Sequence, residues 1–151
     1  MAKFISCQVR EAHLDLDEPI SLFREALDLR PHDHPDRPLV SLSCPNEPGI
    51  INLASALLRR FEQHGDGNDL DEAIQHYRAA LQLTPVGHPH RSLSLNNLAS
   101  ALWTRFSQRG DGNDLDEAIQ HHRAALQLTP AGHPHRSLSL NNLANALSTR
   151  F

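Results

Sequence analysis

Residues 52–96, NLASALLRRFEQHGDGNDLDEAIQHYRAALQLTPVGHPHRSLSLN, run directly into residues 97–141, NLASALWTRFSQRGDGNDLDEAIQHHRAALQLTPAGHPHRSLSLN, and the two stretches agree at 39 of 45 positions. A tandem repeat therefore organises the chain. A third copy starts at Asn142 and reaches Phe151, while a diverged half-copy occupies residues 15–31, where Asp-Leu-Asp-Glu-Pro-Ile matches the Asp-Leu-Asp-Glu-Ala-Ile that starts at Asp69. Units of this length cannot each hide an apolar face alone, so neighbours have to stack to complete a core.

Within one unit, Leu95, Leu98, Leu102 and Phe106 fall on one stripe of a helix expected over residues 92–108, here called helix A. Gly110 and the following Asp-Gly-Asn supply turn chemistry, and Asp114 with Glu117 three residues on resembles a capping box that starts helix B. Leu115, Ala118, Ile119, His122, Ala125 and Leu126 form the inner stripe of helix B, which must end before Pro130 because proline has no amide hydrogen to donate. Composition agrees: 24 Leu and 16 Ala stand against 3 Val, 6 Ile and 4 Thr, which nearly excludes a sheet. The expected fold is all-α, an α-solenoid of stacked antiparallel helix pairs with a 45-residue period.

The expected organisation is a lead-in over residues 1–14, a half-unit over 15–31, an irregular linker over 32–49, full units over 52–96 and 97–141, and a partial unit over 142–151. The linker carries Pro35, Pro38, Pro45 and Pro48, so the first helix A is expected to begin late, near residues 46–49. Net charge is −4, with 14 basic and 18 acidic residues interspersed, which argues against a phosphate-backbone partner. Apolar runs are too short for a membrane span or a secretory signal, so the expectation is a cytoplasmic protein without a membrane partner. Cys7 and Cys44 lack zinc-ligand spacing and read as reduced thiols.

In order and spacing these residues resemble the tetratricopeptide repeats, whose pattern is W-x2-L-G-x2-Y, then A-x3-F and a closing Pro. Leu95, Leu98, Ala99 and Leu102 match helix A, with Ala in place of Gly, and Ala118, His122, Ala125 and Pro130 match helix B. Ala73, Tyr77, Ala80 and Pro85 carry the expected aromatic, as do Phe23, Ala26 and Pro31, although Pro19 takes the first Ala site of that half-copy. The period exceeds the usual length of about 34 because both linkers are longer. The Gly-His-Pro linker followed by Ser-Leu-Asn-Asn-Leu-Ala is similar to the kinesin-light-chain subtype, and the near-identical copies are similar to arrays in large fungal proteins that carry CHAT or nucleotide-binding domains. The resemblance implies a protein- or peptide-binding scaffold, part of a larger multidomain protein, with helix A lining a concave groove.

On that basis Asn52, Ser55, Leu58, Arg59, Asn96, Asn97, Ser100, Trp103, Thr104, Asn141, Asn142 and Asn145 are the candidate peptide-binding residues. Asn97 recurs as Asn52 and Asn142, and Asn96 as Asn141, a row of carboxamides able to satisfy the N–H and C=O of an extended peptide without reading its side chains. The competing reading has these Asn side chains bonding neighbouring helices or water. Trp103 is either a rigid interface anchor or a cover for an inter-helix gap.

Eleven histidines, with His88-Pro89-His90 repeated as His133-Pro134-His135, raise the question of metal. Successive linkers would lie roughly 10 Å apart, so a structural role in the linkers is the better reading. The Gly-Asp-Gly-Asn-Asp stretches at residues 65–69 and 110–114 fail the ligand pattern of calcium loops and read as turns. The pairs Asp69/Asp71 and Asp114/Asp116 fit helix-dipole placement, and no nucleophile, phosphate-loop or dinucleotide motif occurs. Neither an enzyme nor a cofactor is expected. Leu143, Leu147 and Phe151 belong to a helix A without its helix B, and such an apolar edge suggests an alternative role as an array that stacks end to end into homo-oligomers.

Overall fold

The computed structural model describes residues 15–28 and 47–150. These residues are helical throughout apart from their connections, with no strand: α1 (Asp17–Asp28), α2 (Glu47–His64), α3 (Gly67–Leu83), α4 (Arg91–Arg109), α5 (Gly112–Gln127) and α6 (Arg136–Arg150). The main contacts join chain neighbours, α1 to α2 through to α5 to α6, with a lighter contact between α4 and α6. Cross-pairs such as Arg60 with Asp69 and Ser55 with Tyr77 show that α2 and α3 run antiparallel. The lead-in over residues 1–14 and the linker as far as residue 46 lie outside the described residues, as does Phe151; α2 begins at Glu47, so residues 47–49 are helix rather than linker.

The expected stripes form the core. Leu95, Leu98 and Leu102 on α4 are buried, as are Leu115, Ala118, Ile119, His122 and Ala125 on α5, while Phe106 and Leu126 are half-buried. Gly65 and Gly110 end α2 and α4 with φ of 72° and 73°, a left-handed turn that a side chain would strain.

Two sequence expectations need correction at the start of helix B. The N-caps are Asp66 and Asp111, whose carboxylates each accept the amide of Asn68 or Asn113 at 3.0 Å. The helix therefore starts at Gly67 or Gly112, before Asp69 or Asp114. Those later aspartates are buried and serve as ion-pair partners: Arg60 grips Asp69 through Nε (2.8 Å) and Nη2 (2.6 Å), and Arg105 grips Asp114 at the same two distances. Each guanidinium also reaches back one helix, Arg60 to Asp17 at 2.7 Å and Arg105 to Asp71 at 3.2 Å. These bonds hold both arginines charged well above their ordinary range, the Asp69 and Asp114 hydrogen bonds contributing most. Asp71 is held below the usual carboxylate range, first by the Arg109 hydrogen bond.

Helix-B connections are equally repetitive. Thr84 and Thr129, both fully buried, donate to the carbonyls of Ala80 and Ala125, and Arg91 and Arg136 cap the carbonyls of Thr84 and Thr129. In each His-Pro-His linker the first ring accepts an amide hydrogen through Nδ1, His88 from His90 at 3.2 Å and His133 from His135 at 3.1 Å. No group of three or more His, Cys, Asp or Glu placed to hold a metal occurs among the described residues. None of the described helices is long and apolar enough to cross a membrane.

Because Asp114 is buried, Arg105→Ala strands a carboxylate away from water and should cost about 3 kcal/mol in urea unfolding. Arg78→Ala, which breaks the exposed 3.0 Å pair with Glu117, should cost less than about 1 kcal/mol by the same measurement.

Candidate binding groove

Helices α2, α4 and α6 contribute one side chain set to a cleft of about 230 Å³: Leu58 and Glu62 from α2, Ser100, Trp103 and Thr104 from α4, and Asn142 and Asn145 from α6, with His122 of α5 as the remaining wall. A second hollow of about 330 Å³ lies between the first two helices, where Leu16, Pro19 and Phe23 meet Asn52, Ser55, Ala56 and Arg59. Of the twelve candidates, the cleft collects Leu58, Ser100, Trp103, Thr104, Asn142 and Asn145, and the hollow collects Asn52, Ser55 and Arg59. Asn97 is half-buried and Asn141 exposed, and neither lines either space.

Asn96 departs from the expected row. It is 5% exposed, donates Nδ2–H to Ser139 Oγ at 2.9 Å, and lies with Oδ1 3.2 Å from His122 Nδ1. Both ends of its carboxamide are engaged inside the protein and the side chain is buried, so it is not presented to a peptide backbone. Its copy Asn141 stays exposed because no later described helix packs over it. The carboxamides thus do not form one continuous free row: Asn142 and Asn145 serve the cleft, and Asn52 serves the hollow.

The bonds of Asn96 also fix a direction. With Nδ2 donating to Ser139, Oδ1 must accept, so His122 donates from Nδ1 and keeps its lone pair on Nε2. Ser139 passes the chain on by donating to the His135 carbonyl at 3.2 Å. His122 is 2% exposed, and burial, aided by the neighbouring His121 charge, pushes its pKa down to about 4. A neutral imidazole with Nε2 as acceptor therefore borders the cleft.

The preceding copy differs at this position. Tyr77 stands where His122 stands, and its longer ring reaches across to Ser55, with the two hydroxyl oxygens 3.0 Å apart. His122 stops short and turns to Asn96, leaving the equivalent Ser100 to line open space. A second exchange accompanies it: Ile51, packed against the core, occupies the place of Asn96. Ser94 matches Ser139, and with Ile51 unable to donate to it, Ser94 Oγ is buried without a hydrogen-bond partner among the described residues.

Trp103 spans two helices at the edge of the cleft. Its indole Nε1–H donates to Thr149 Oγ1 at 3.3 Å, which bridges α4 to α6, and the side chain remains 36% exposed while lining the cleft. Sequence reasoning missed Glu62 and His122 as cleft residues. A signal was present, because Leu58/Trp103, Arg59/Thr104, Glu62/Ser107 and Tyr77/His122 are four of the six positions at which the copies differ. Glu62 is exposed and is the one charged residue among those lining the cleft, giving its rim a negative end.

No protein-family model matches this chain, and no curated protein matches it.

Two measurements test the relay. Ser139→Ala should destabilise the fold by about 1–2 kcal/mol by leaving Asn96 Nδ2–H unpaired, whereas Ser94→Ala removes a hydroxyl that bonds nothing and should be neutral or stabilising. Since the His122 pKa falls from 6.5 to about 4 on folding, the unfolded chain binds the extra proton first, and stability should drop as pH falls from about 6.5 towards 4. His122→Tyr should flatten that stretch of the urea-midpoint profile by up to roughly 3 kcal/mol relative to the wild type.

Proposed function

We propose that this chain is a stacked helical-repeat scaffold of the tetratricopeptide kind, and that the cleft shared by α2, α4, α6 and His122 holds part of an extended peptide or protein segment. The observation that carries this reading is where the copies vary. The Arg60–Asp69 and Arg105–Asp114 pairs and the Asp66 and Asp111 caps repeat from unit to unit, while Leu58/Trp103, Arg59/Thr104 and Tyr77/His122 differ at or beside the cleft and the hollow. A framework kept constant with a variable lining is what a binding surface requires, since the lining sets the partner and the framework sets the geometry.

The chemistry of the lining suits a peptide. Asn142 and Asn145 each offer a donor and an acceptor, which matches the alternating C=O and N–H of an extended backbone. Trp103 supplies a flat apolar surface held by its bond to Thr149, so little side-chain freedom is lost on contact. The pocket floor, with Ser100 and the neutral His122, accepts one side chain. Binding, rather than catalysis, is the role we assign: the one strongly shifted imidazole is spent on Asn96 and stays uncharged at neutral pH. No cofactor or metal enters the proposal.

Trp103 is the only tryptophan, so its emission reports on this cleft alone. Peptides from a random extended library should shift that emission on binding. Calorimetry with the best of them should show the Trp103→Ala, Asn142→Ala double variant weakened about thirtyfold at unchanged helicity. Equal affinity for the double variant would remove the cleft from the binding surface.

A further inference from the structure

Internal hydrogen bonds use up the fixed donors of the cleft lining. Trp103 Nε1–H goes to Thr149 Oγ1 at 3.3 Å, Thr104 Oγ1–H to the Ser100 carbonyl at 2.9 Å, and His122 Nδ1–H to Asn96 Oδ1 at 3.2 Å. What these groups retain is an indole face, a hydroxyl lone pair and the imidazole Nε2 lone pair. His122 is 2% exposed and lines the cleft, yet its Nε2 has no hydrogen bond among the described residues. A buried acceptor normally has a donor, and the open side of this one is the cleft. Ser100, Asn142 and Asn145 can serve in either sense.

Charge points the same way. Glu62 is exposed, lines the cleft and enters no ion pair among the described residues. Its counterpart in the next copy is Ser107, and the counterpart of Arg59 is Thr104. The cleft therefore combines the acid of the first copy with the uncharged Thr104 of the second, while Arg59 lines the neighbouring hollow. An anionic side chain entering the cleft would face the Glu62 carboxylate with no cation in the lining to offset it. A cationic donor meets a carboxylate, an imidazole lone pair and an aromatic face. A guanidinium suits this set better than an ammonium, because it lies flat on an indole and directs five N–H donors outwards in one plane, towards acceptors on different walls.

We infer that the cleft is a receptor for an arginine side chain, with Trp103 as its platform and His122 Nε2 and Glu62 as its acceptors. The inference rests on the peptide-binding reading and adds to it the residue that the bound segment must carry. The hollow, with Arg59 as its charged residue, lies outside it.

The test takes the best binder of the random library as host and places arginine, citrulline or glutamate at each of its positions in turn, with affinity read from Trp103 emission. Citrulline keeps the shape of arginine and removes its charge. At one position arginine should bind about tenfold tighter than citrulline, and glutamate should bind more weakly than either. Glu62→Gln, at an exposed site, should leave helicity and the citrulline affinity unchanged and narrow the arginine advantage about threefold. Equal affinity for arginine and citrulline at every position would overturn the arginine receptor while leaving the peptide groove standing. An arginine advantage untouched by Glu62→Gln would also overturn it, since the cation would then be read elsewhere. A library without any binder would sink both readings together.

Discussion

One guanidinium per repeat ties three helices together, and the geometry of the rest follows from it. Arg60 and Arg105 leave the end of one helix, close on a buried aspartate at the start of the next, and reach a second carboxylate on the helix before. A buried carboxylate is costly unless paired, and a planar fork that meets it with two parallel bonds both neutralises it and fixes the angle between the helices. Alanine and leucine provide the apolar area, but a stripe of Leu and Ala can slide by a turn at little cost. The arginine cannot slide without stranding its partner. This is why the two full copies, different in sequence at six places, adopt the same hairpin.

On that fixed frame the inner helix surface is free to vary. The exchange of Tyr77 for His122 comes with Ile51 giving way to Asn96, so an aromatic ring that fills the space is replaced by a shorter ring drawn aside by a hydrogen bond. The relay from His122 through Asn96 and Ser139 to the His135 carbonyl satisfies these polar groups, while in the preceding copy the Ser94 hydroxyl has no partner among the described residues. The cleft is thus a consequence of packing around two side chains rather than of a longer loop or an inserted element.

Much of the fold was legible from the repeat. The helix stripe at Leu95, Leu98 and Leu102, the stop before Pro130 and the late start of α2 all rest on local backbone chemistry that any window of the sequence displays. The errors were also local in appearance. Asp114 followed by Glu117 looks like a cap because the spacing is right, yet Asp111 sits one turn earlier and takes the amide first, releasing Asp114 to Arg105. The site was read less well. Asn96 and Asn97 are neighbours of the same type, and only the path of α5 and α6 puts one inside the relay and leaves the other half-buried.

What the sequence determined by itself is the all-helical class, the period and the apolar stripes, since these depend on intrinsic backbone preference and on spacing along a single helix. Tertiary structure alone decided which polar residues face inward. Burial of Asn96, His122 and Asp114 depends on what a distant helix brings to within hydrogen-bond reach, and residues far apart in the chain, such as Asn96 and Ser139, carry no mark of their meeting until the helices are packed.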